Sequence, residues 1–589
     1  MENPSDFYHK RLIFFQDKAA KLKSTIRWIG TLRLLVFLLG AVLFYIFFGQ
    51  VILSIYIVLL FFSLFIYLVF LYNKYQKDHK KTIELIHLNQ LEIEIAQGNF
   101  SHCDPGEEFL SPNHPFSYDL DLFGENSFFA YLNRTATESG KKKLAETLSS
   151  NNLSGIKEKQ ESIKELSQKP DWRQDFTATA KLVKTETSEK SILQWINNHK
   201  PFLNQKFRLL PIAFSAISLA VIALIQFSFL PFSILTLWFF VGLGITMIWV
   251  KKIQNFAGHA EKAYSTISQF EQLIKSIENE SFDSVQLRNK QKELCQNDVK
   301  ASKKLFQFSR LLDKFDQRNN LFIGVFGNAL FLRDISLVLK MELWLKENRQ
   351  EVESWFETLS FFDAQASLGN FAFNHPHFTF PTLSSETFCI YATQIGHPMI
   401  KLTKRVDNEF KIRPQEFFII TGANMAGKST FLRTIGLSIL MANCGLPVCA
   451  KEFLYKPIAL ITSMRTADSL SNEESYFFSE LKRLKFIVDE LENQPYFVIL
   501  DEILKGTNSH DKALGSQKFL SRLAQSGSTG LIATHDLSIC SLSESVENVQ
   551  NFYFDAEIMN DELYFDYKIK PGICQNMNAS FLLKKMKIV

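Results

Sequence analysis

Two long stretches of this chain carry no charged residue: residues 34–72, 39 residues, and residues 209–250, 42 residues. One membrane-spanning helix needs roughly 20 apolar residues, so each stretch is long enough for two spans and a tight turn. Gly49-Gln50 and residues 226–232 (QFSFLPF) supply the breaks. The pattern predicts two transmembrane helical hairpins. Lys18, Lys21, Lys23, Arg27 and Arg33 precede the first hairpin, and Lys74, Lys77, Lys80 and Lys81 follow it. Lys200, Lys206 and Arg208 precede the second, and Lys251 and Lys252 follow it. Basic residues near the ends of spans mark the cytoplasmic side. Both termini and both long polar segments are therefore expected in the cytoplasm, in a multi-pass protein of the inner membrane. The first apolar run starts too late and is too long for a secretory signal peptide.

Residues 422–430 read GANMAGKST and match the phosphate-loop pattern G-x-x-x-x-G-K-[ST]. Residues 417–421 (FFIIT) read as a buried strand before it, and residues 431–441 read as a helix after it, the context such a loop requires. Glycines let the backbone fold tightly, so that successive N–H groups point at phosphate oxygens. Gly422, Ala423, Asn424, Met425, Ala426, Gly427, Lys428, Ser429 and Thr430 form the expected cradle. Lys428 is expected to reach the β- and γ-phosphates, and the Ser429 hydroxyl to hold Mg²⁺. The chain is thus expected to bind ATP or GTP.

A second apolar strand, residues 496–500 (YFVIL), ends in Asp501-Glu502. Asp501 is the expected second Mg²⁺ ligand, and Glu502 the residue that orients or deprotonates the attacking water. A third, residues 529–533 (TGLIA), ends in Thr534-His535-Asp536. His535 is placed to approach the γ-phosphate and respond to its loss.

At 589 residues the chain should hold several domains. The net charge of +4 gives no global footprint for nucleic acid, so any basic surface must be local. Seven scattered cysteines, without a C-x-x-C spacing, speak against a zinc site or a disulfide framework. The pattern divides the chain into an amphipathic lead-in (1–33), the first hairpin (34–72), a helical segment (73–207) with a loop near 99–115, the second hairpin (208–252), long charged helices (253–370) and an alternating α/β domain (371–589).

The segments TGANMAGKST, LDEILKGTNSHD and ATHD together resemble the ATPase domain of the MutS family of DNA mismatch-repair proteins. Residues 395–398 (IGHP) resemble the family's R-H-P, with Gly396 at the Arg position. Residues 442–450 (ANCGLPVCA) and 468–480 (DSLSNEESYFFSE) resemble two further family motifs, although Tyr476-Phe477 replace the usual Thr-Phe. Ala423 and Ala426 replace the usual Pro and Gly of the loop. Residues 118–144 are similar to the start of the family's helical core, and residues 362–368 (FDAQASL) to the end of its lever helices. The resemblance implies a homodimer with composite ATP sites. Ser475 would complete the partner's site, and Asn508, Ser509 and Asp511 would lie in the inter-subunit loop. It also implies DNA as a partner. The family's mismatch-recognition and connector domains have no counterpart here, and the second hairpin interrupts the helical core.

The fold expected is therefore an α+α/β membrane protein: two transmembrane hairpins, a MutS-like helical core and lever, and a C-terminal P-loop α/β ATPase domain of ABC type. The function expected is a membrane-anchored ATPase acting on mismatched, branched or recombining DNA. The alternative is a membrane scaffold or sensor that uses the same engine without DNA. An ABC transporter is disfavoured: L-S-G-G-Q is missing, and only 73 positions separate Lys428 from Asp501. Lys141, Lys142, Lys143, Lys584, Lys585 and Lys587 are local basic clusters that DNA could use. Phe410 and His397 are the nearby candidates for the adenine.

Overall fold

The computed structural model describes residues 3–182, 187–296, 299–384, 387–423, 425–465, 476–504, 509–559 and 562–575. It opens with two very long helices, α1 (Pro4–Ile46) and α2 (Val51–Ala96), packed against each other. Asn3 caps α1 by accepting from the Ser5 N–H, and Pro4 sits in the first turn, where its missing N–H does no harm. The expected turn falls at residues 47–50. The expected boundaries at 33 and 72 do not: each helix runs through them unbroken. No proline stands near either boundary, so a change of polarity alone does not end a helix.

A helical body follows. Its shorter helices are α3 (Phe128–Leu132), α4 (Glu138–Ser149), α5 (Ile156–Ser167), α6 (Pro170–Lys181) and α7 (Glu189–Asn198). Then come two apolar helices, α8 (Leu209–Gln226) and α9 (Phe232–Met247), and α10 (Val250–Asn279), which is bent 67° from α9. After α11 (Val285–Lys292) and a two-residue hairpin, β1 (Cys295–Gln296) with β2 (Val299–Lys300), lie α12 (Ala301–Asp316), α13 (Leu321–Phe331) and α14 (Arg333–Asn374). Among the described residues three helices are long and apolar enough to cross a membrane: Pro4–Ile46, Val51–Ala96 and Gln205–Gln226. Two bent pairs, α9 with α10 and α13 with α14, raise that number to five if each is one span.

α14 is the backbone of the body. At 1.5 Å per residue its 42 residues span about 63 Å. One apolar core, built on α10, α12 and α14, fills the body. A second core joins residues 116–148, the last turns of α14 and the C-terminal domain. The junction is polar at one point. Asp363 of α14 accepts from the N–H groups of Ala136 and Thr137 and from the Thr137 hydroxyl, at 2.7–3.1 Å. A Cβ on Gly140 would lie 2.1 Å from Asp363 Oδ2, so only glycine lets the two approach this closely. Burial pushes the Asp363 carboxyl up to about 6 despite these hydrogen bonds.

The C-terminal domain has two sheets. The smaller has the order β3-β7-β4-β5: β3 (Thr382–Leu383), β4 (Ile390–Ile395), β5 (Asn408–Ile412) and β7 (Glu452–Tyr455). The larger has the order β14-β11-β6-β10-β9-β8: β6 (Phe417–Gly422), β8 (Ala459–Ser463), β9 (Tyr496–Asp501), β10 (Thr529–Ala533), β11 (Val549–Phe554) and β14 (Ile569–Pro571). A short hairpin, β12 (Glu557–Met559) with β13 (Glu562–Tyr564), precedes β14. All neighbours in the larger sheet are parallel except β14 with β11. Helices α15 (Lys428–Asn443), α16 (Tyr476–Leu491), α17 (Ser509–Gln525) and the short α18 (Leu542–Ser545) complete the domain. β6, β8, β9 and β10 are buried along nearly their whole length, which explains why they read as apolar runs rather than alternations.

Candidate nucleotide site

In an open parallel sheet, ligands bind beyond the carboxyl ends of the strands. Here β6 ends in the phosphate loop, β9 in Asp501-Glu502 and β10 in Thr534-His535. Strand β10 lies between β6 and β9, with Ala533 paired to both Ile420 and Asp501. That order brings three motifs, spread over more than a hundred positions, to one sheet edge. It sets His535 between the loop and the two acids.

The loop leaves β6 at Gly422, whose φ of 145° belongs to glycine, and a Cβ there would lie 2.6 Å from the Phe554 carbonyl oxygen. It enters α15 at Gly427, φ 102°. Met425 at φ 69° and Glu502 at φ 53° are not glycines, yet both take the left-handed conformation. Such backbone costs about 1–3 kcal/mol per residue and concentrates at functional sites. Asn424, Ser475, Asn508, Lys584, Lys585 and Lys587 lie outside the described residues.

Lys428 is buried, and its ammonium donates to the carbonyls of Gly422 at 2.7 Å and Ala423 at 2.9 Å. Burial holds its pKa below the ordinary lysine value, opposed by the nearby Asp501 and Glu502 carboxylates. The Ser429 hydroxyl donates to Asp501 Oδ2 at 2.6 Å. His535 Nε2 lies 2.6 Å from Glu502 Oε1 and 3.4 Å from Lys428 Nζ. A cavity of about 470 Å³ opens over this cluster. Lys428, Ser429, Thr430, Glu502 and His535 line one end of it. Ile395, His397, Val406, Phe554 and Tyr567 are also part of its lining.

Two expected features change place. Phe410 is buried in the core against Phe418 and Phe431 and does not line the cavity. His397 does line it, and burial pushes its imidazole down to about 4, so it is neutral at pH 7. Lys141 is tied by ion pairs to Asp104, at 2.6 Å, and to Glu108. A lysine already paired to two carboxylates is a weak phosphate contact. Lys142 and Lys143 remain more exposed, near Glu146.

Three residues escaped sequence reasoning. Arg405 and Tyr567 line the cavity, and no local motif announces either. Arg405 forms a two-pronged pair with Asp407, at 2.6 and 3.2 Å. A Cβ on Gly396 would sit 2.1 Å from Asp407 Oδ1 and 2.5 Å from Arg405 Nε. Glycine at this position therefore leaves room for an arginine that arrives from elsewhere in the chain. Glu480, read only as the end of a motif, is buried and accepts from the Leu504 N–H at 2.5 Å. It braces the turn that follows Glu502.

The oxygen donors suit a hard cation. Mg²⁺ is commonly held by one or two protein oxygens plus substrate phosphates, rather than by an all-protein cage. Ser429 and Asp501 supply such a pair, and no group of three or more His, Cys, Asp or Glu gathers as a metal site among the described residues.

Residues 418–586 match a family model described as MutS domain V. The chain is 31% identical over 220 residues to the DNA mismatch repair protein MutS of Methanococcoides burtonii, covering 36% of this chain and 24% of that protein. It is 30% identical over 262 residues to MutS of Methanosarcina mazei, covering 41% and 28%. With MutS of Aquifex pyrophilus it shares 32% over 184 residues, covering 30% and 21%. The chain thus spans about a quarter of the length of these curated relatives.

Proposed function

We propose that this protein is a membrane-anchored, MutS-like ATPase that hydrolyses ATP with Mg²⁺ and acts on DNA in repair. One observation carries the ATPase reading: Lys428, Ser429, Glu502 and His535 line a single cavity, with Asp501 hydrogen-bonded to Ser429, on the segment similar to MutS domain V. In this reading the loop N–H groups and Lys428 hold the phosphates. Ser429 and Asp501 hold Mg²⁺, which when bound would neutralise charge on the transferring phosphate. Glu502 orients the attacking water and accepts its proton. His535, in contact with both Glu502 and Lys428, links the state of the γ-phosphate to the end of β10.

The site is read as composite, shared by two copies of the chain, with Ser475 of one copy completing the site of the other. This dimer, and DNA as partner, follow from the similarity to mismatch-repair proteins. The anchor follows from the apolar helices α1, α2 and α8 and the bent α9, whose lysine- and arginine-rich flanks favour the cytoplasmic side of the inner membrane. These helices also favour a second reading, a membrane scaffold or sensor that turns over ATP without DNA.

The purified protein in detergent separates the two. ATPase rates are measured with no DNA and with duplex, mismatched and branched DNA, across a salt series. Stimulation with salt-sensitive binding is expected. No response to any DNA would leave the scaffold reading. Glu502→Gln should lower turnover by about 100-fold or more while ATP still binds, given the 10²–10⁴-fold contribution typical of general bases. Retained turnover would remove Glu502 from that role.

A further inference from the structure

Residues 321–332 (LFIGVFGNALFL) are a short, strongly apolar run without charge, bracketed by Arg318 and Arg333. Their helix, α13, has 11 residues and is about 16 Å long, half the roughly 30 Å of a bilayer's hydrocarbon core. It is too short to span and was not expected as a membrane element. A helix this apolar belongs inside a core or inside lipid. Here its two halves differ: Asn328 and Ala329 in the C-terminal half are covered, while in the N-terminal half Leu321 is 75% exposed, Phe322 72% and Phe326 50%.

What covers the C-terminal half indicates what should cover the N-terminal one. α13 packs on the apolar helices α9 and α8. A Cβ on Gly242 of α9 would lie 2.1 Å from the Ala329 carbonyl oxygen, so backbone meets backbone. Small residues that allow this approach are typical of helix contacts in membranes. The Phe326 ring lies 5.6 Å from that of Phe239, and Ser215 of α8 donates to the Phe331 carbonyl at 3.4 Å. Gly242 and Phe239 lie about 8 and 12 Å along α9 from Met247, and Ser215 about 9 Å along α8 from Leu209. Both helices therefore meet α13 at the depth of one leaflet from their charged flanks. The exposed apolar residues of α13 add to those of these two helices, among them Leu219, Leu237 and Phe240.

We propose that α13 is a half-length membrane element seated in the cytoplasmic leaflet, with lipid acyl chains covering Leu321, Phe322 and Phe326. This rests on the reading of α8 and α9 as membrane-embedded. Its consequence lies at Leu332, a fully buried residue in the left-handed conformation, where the chain turns 85° from α13 into α14. Asn328 Oδ1 accepts from the Asp334 N–H at 2.8 Å and tightens the corner. The bilayer would thus hold the outer end of the helix that runs to the nucleotide domain.

The test places a nitroxide label on the full chain in phosphatidylcholine–phosphatidylglycerol vesicles, with Cys103 and Cys295, the cysteines that are not buried, changed to serine. Label positions are Phe322→Cys and Phe326→Cys in α13, Leu219→Cys in α8 as the lipid reference, and Phe306→Cys, exposed on α12, as the water reference. The expected ratio of oxygen to nickel-chelate accessibility at 322 and 326 equals that at 219 and is several-fold above that at 306. A water-like ratio at 322 and 326 with a lipid-like one at 219 overturns the proposal alone. Low accessibility to both reagents at 322 and 326 overturns it in favour of a protein cover. A water-like ratio at 219 overturns the membrane reading on which it rests.

Discussion

Helices α1 and α2 carry their apolar ends on rods of 43 and 46 residues that continue unbroken into the body of the protein, whereas α8 and α9 are short, and α9 meets the body at a bend of 67°. The attachments differ as much as the shapes. The foot of the first pair is polar and buried. Glu92 of α2 lies 2.6 Å from Arg134 Nε and accepts from Asn370 at 2.9 Å and Asn374 at 2.7 Å, both near the end of α14. Tyr8 of α1 donates to Asn374 at 2.6 Å, and Arg173 reaches Asn370. The second pair is held by shape: Gly242 against Ala329, Phe239 against Phe326, Phe214 stacked on Trp238 at 4.5 Å. Matched charges fix an orientation and tolerate little change. Apolar surfaces can slide, and bends absorb the movement. One pair is built to transmit, the other to adjust.

The largest expected effect is at the polar foot. Glu92→Ala leaves Arg134 buried without its carboxylate, a loss of about 3–5 kcal/mol. Thermal unfolding in detergent should shift down strongly. An unchanged transition would mean that the foot does not secure the first pair.

A matched pair of substitutions probes the shape-held contacts. Gly242→Leu drives a side chain into the Ala329 backbone, and overpacking of this kind typically costs about 1–3 kcal/mol. Gly30→Leu on α1 meets only the far end of the Tyr72 side chain of α2, 4.0 Å from the added Cβ, an ordinary contact. The first should lower the unfolding temperature clearly more than the second. Equal shifts would erase the distinction drawn between the α9–α13 contact and the α1–α2 contact.

The smallest effect is a pH slope at the lower end of α14. Asp363, raised to about 6, holds its proton in the folded state between about pH 4 and 6, so its contribution weakens as pH rises through that window. His375, lowered to about 4 by burial, does the reverse: the unfolded chain binds the proton first, and stability rises from about pH 4 to 6.5. The two slopes oppose each other. Asp363→Asn should expose a steeper gain of stability with pH than the parent protein shows, read from unfolding temperatures at pH 4.5 to 6.5. An unaltered slope would refute the assignment.

Three strands of the larger sheet, β6, β9 and β10, were legible because they are short apolar runs that end in chemically marked residues, such as Asp501 and His535. The turn near Gly49-Gln50 was legible for a similar reason. What stayed hidden depended on distance. Lys141 read as a free cation because its partners lie in a loop more than thirty positions upstream. Phe410 was a candidate nucleotide contact because it is near the loop in sequence, but its ring packs into the core against Phe418 and Phe431. Arg405 and Tyr567 reach the cavity only through the packing of separate strands. α13 was overlooked because a length threshold for spans discards a helix that only needs to reach halfway.

The unbroken run of α14 has a consequence in plain geometry. A rod of about 63 Å that pivots by only 5° displaces its far tip by about 5 Å, roughly the rise of one helical turn. A shift at the nucleotide end too small to notice among side chains would therefore arrive at Leu332 as a stroke comparable to the width of a lipid chain.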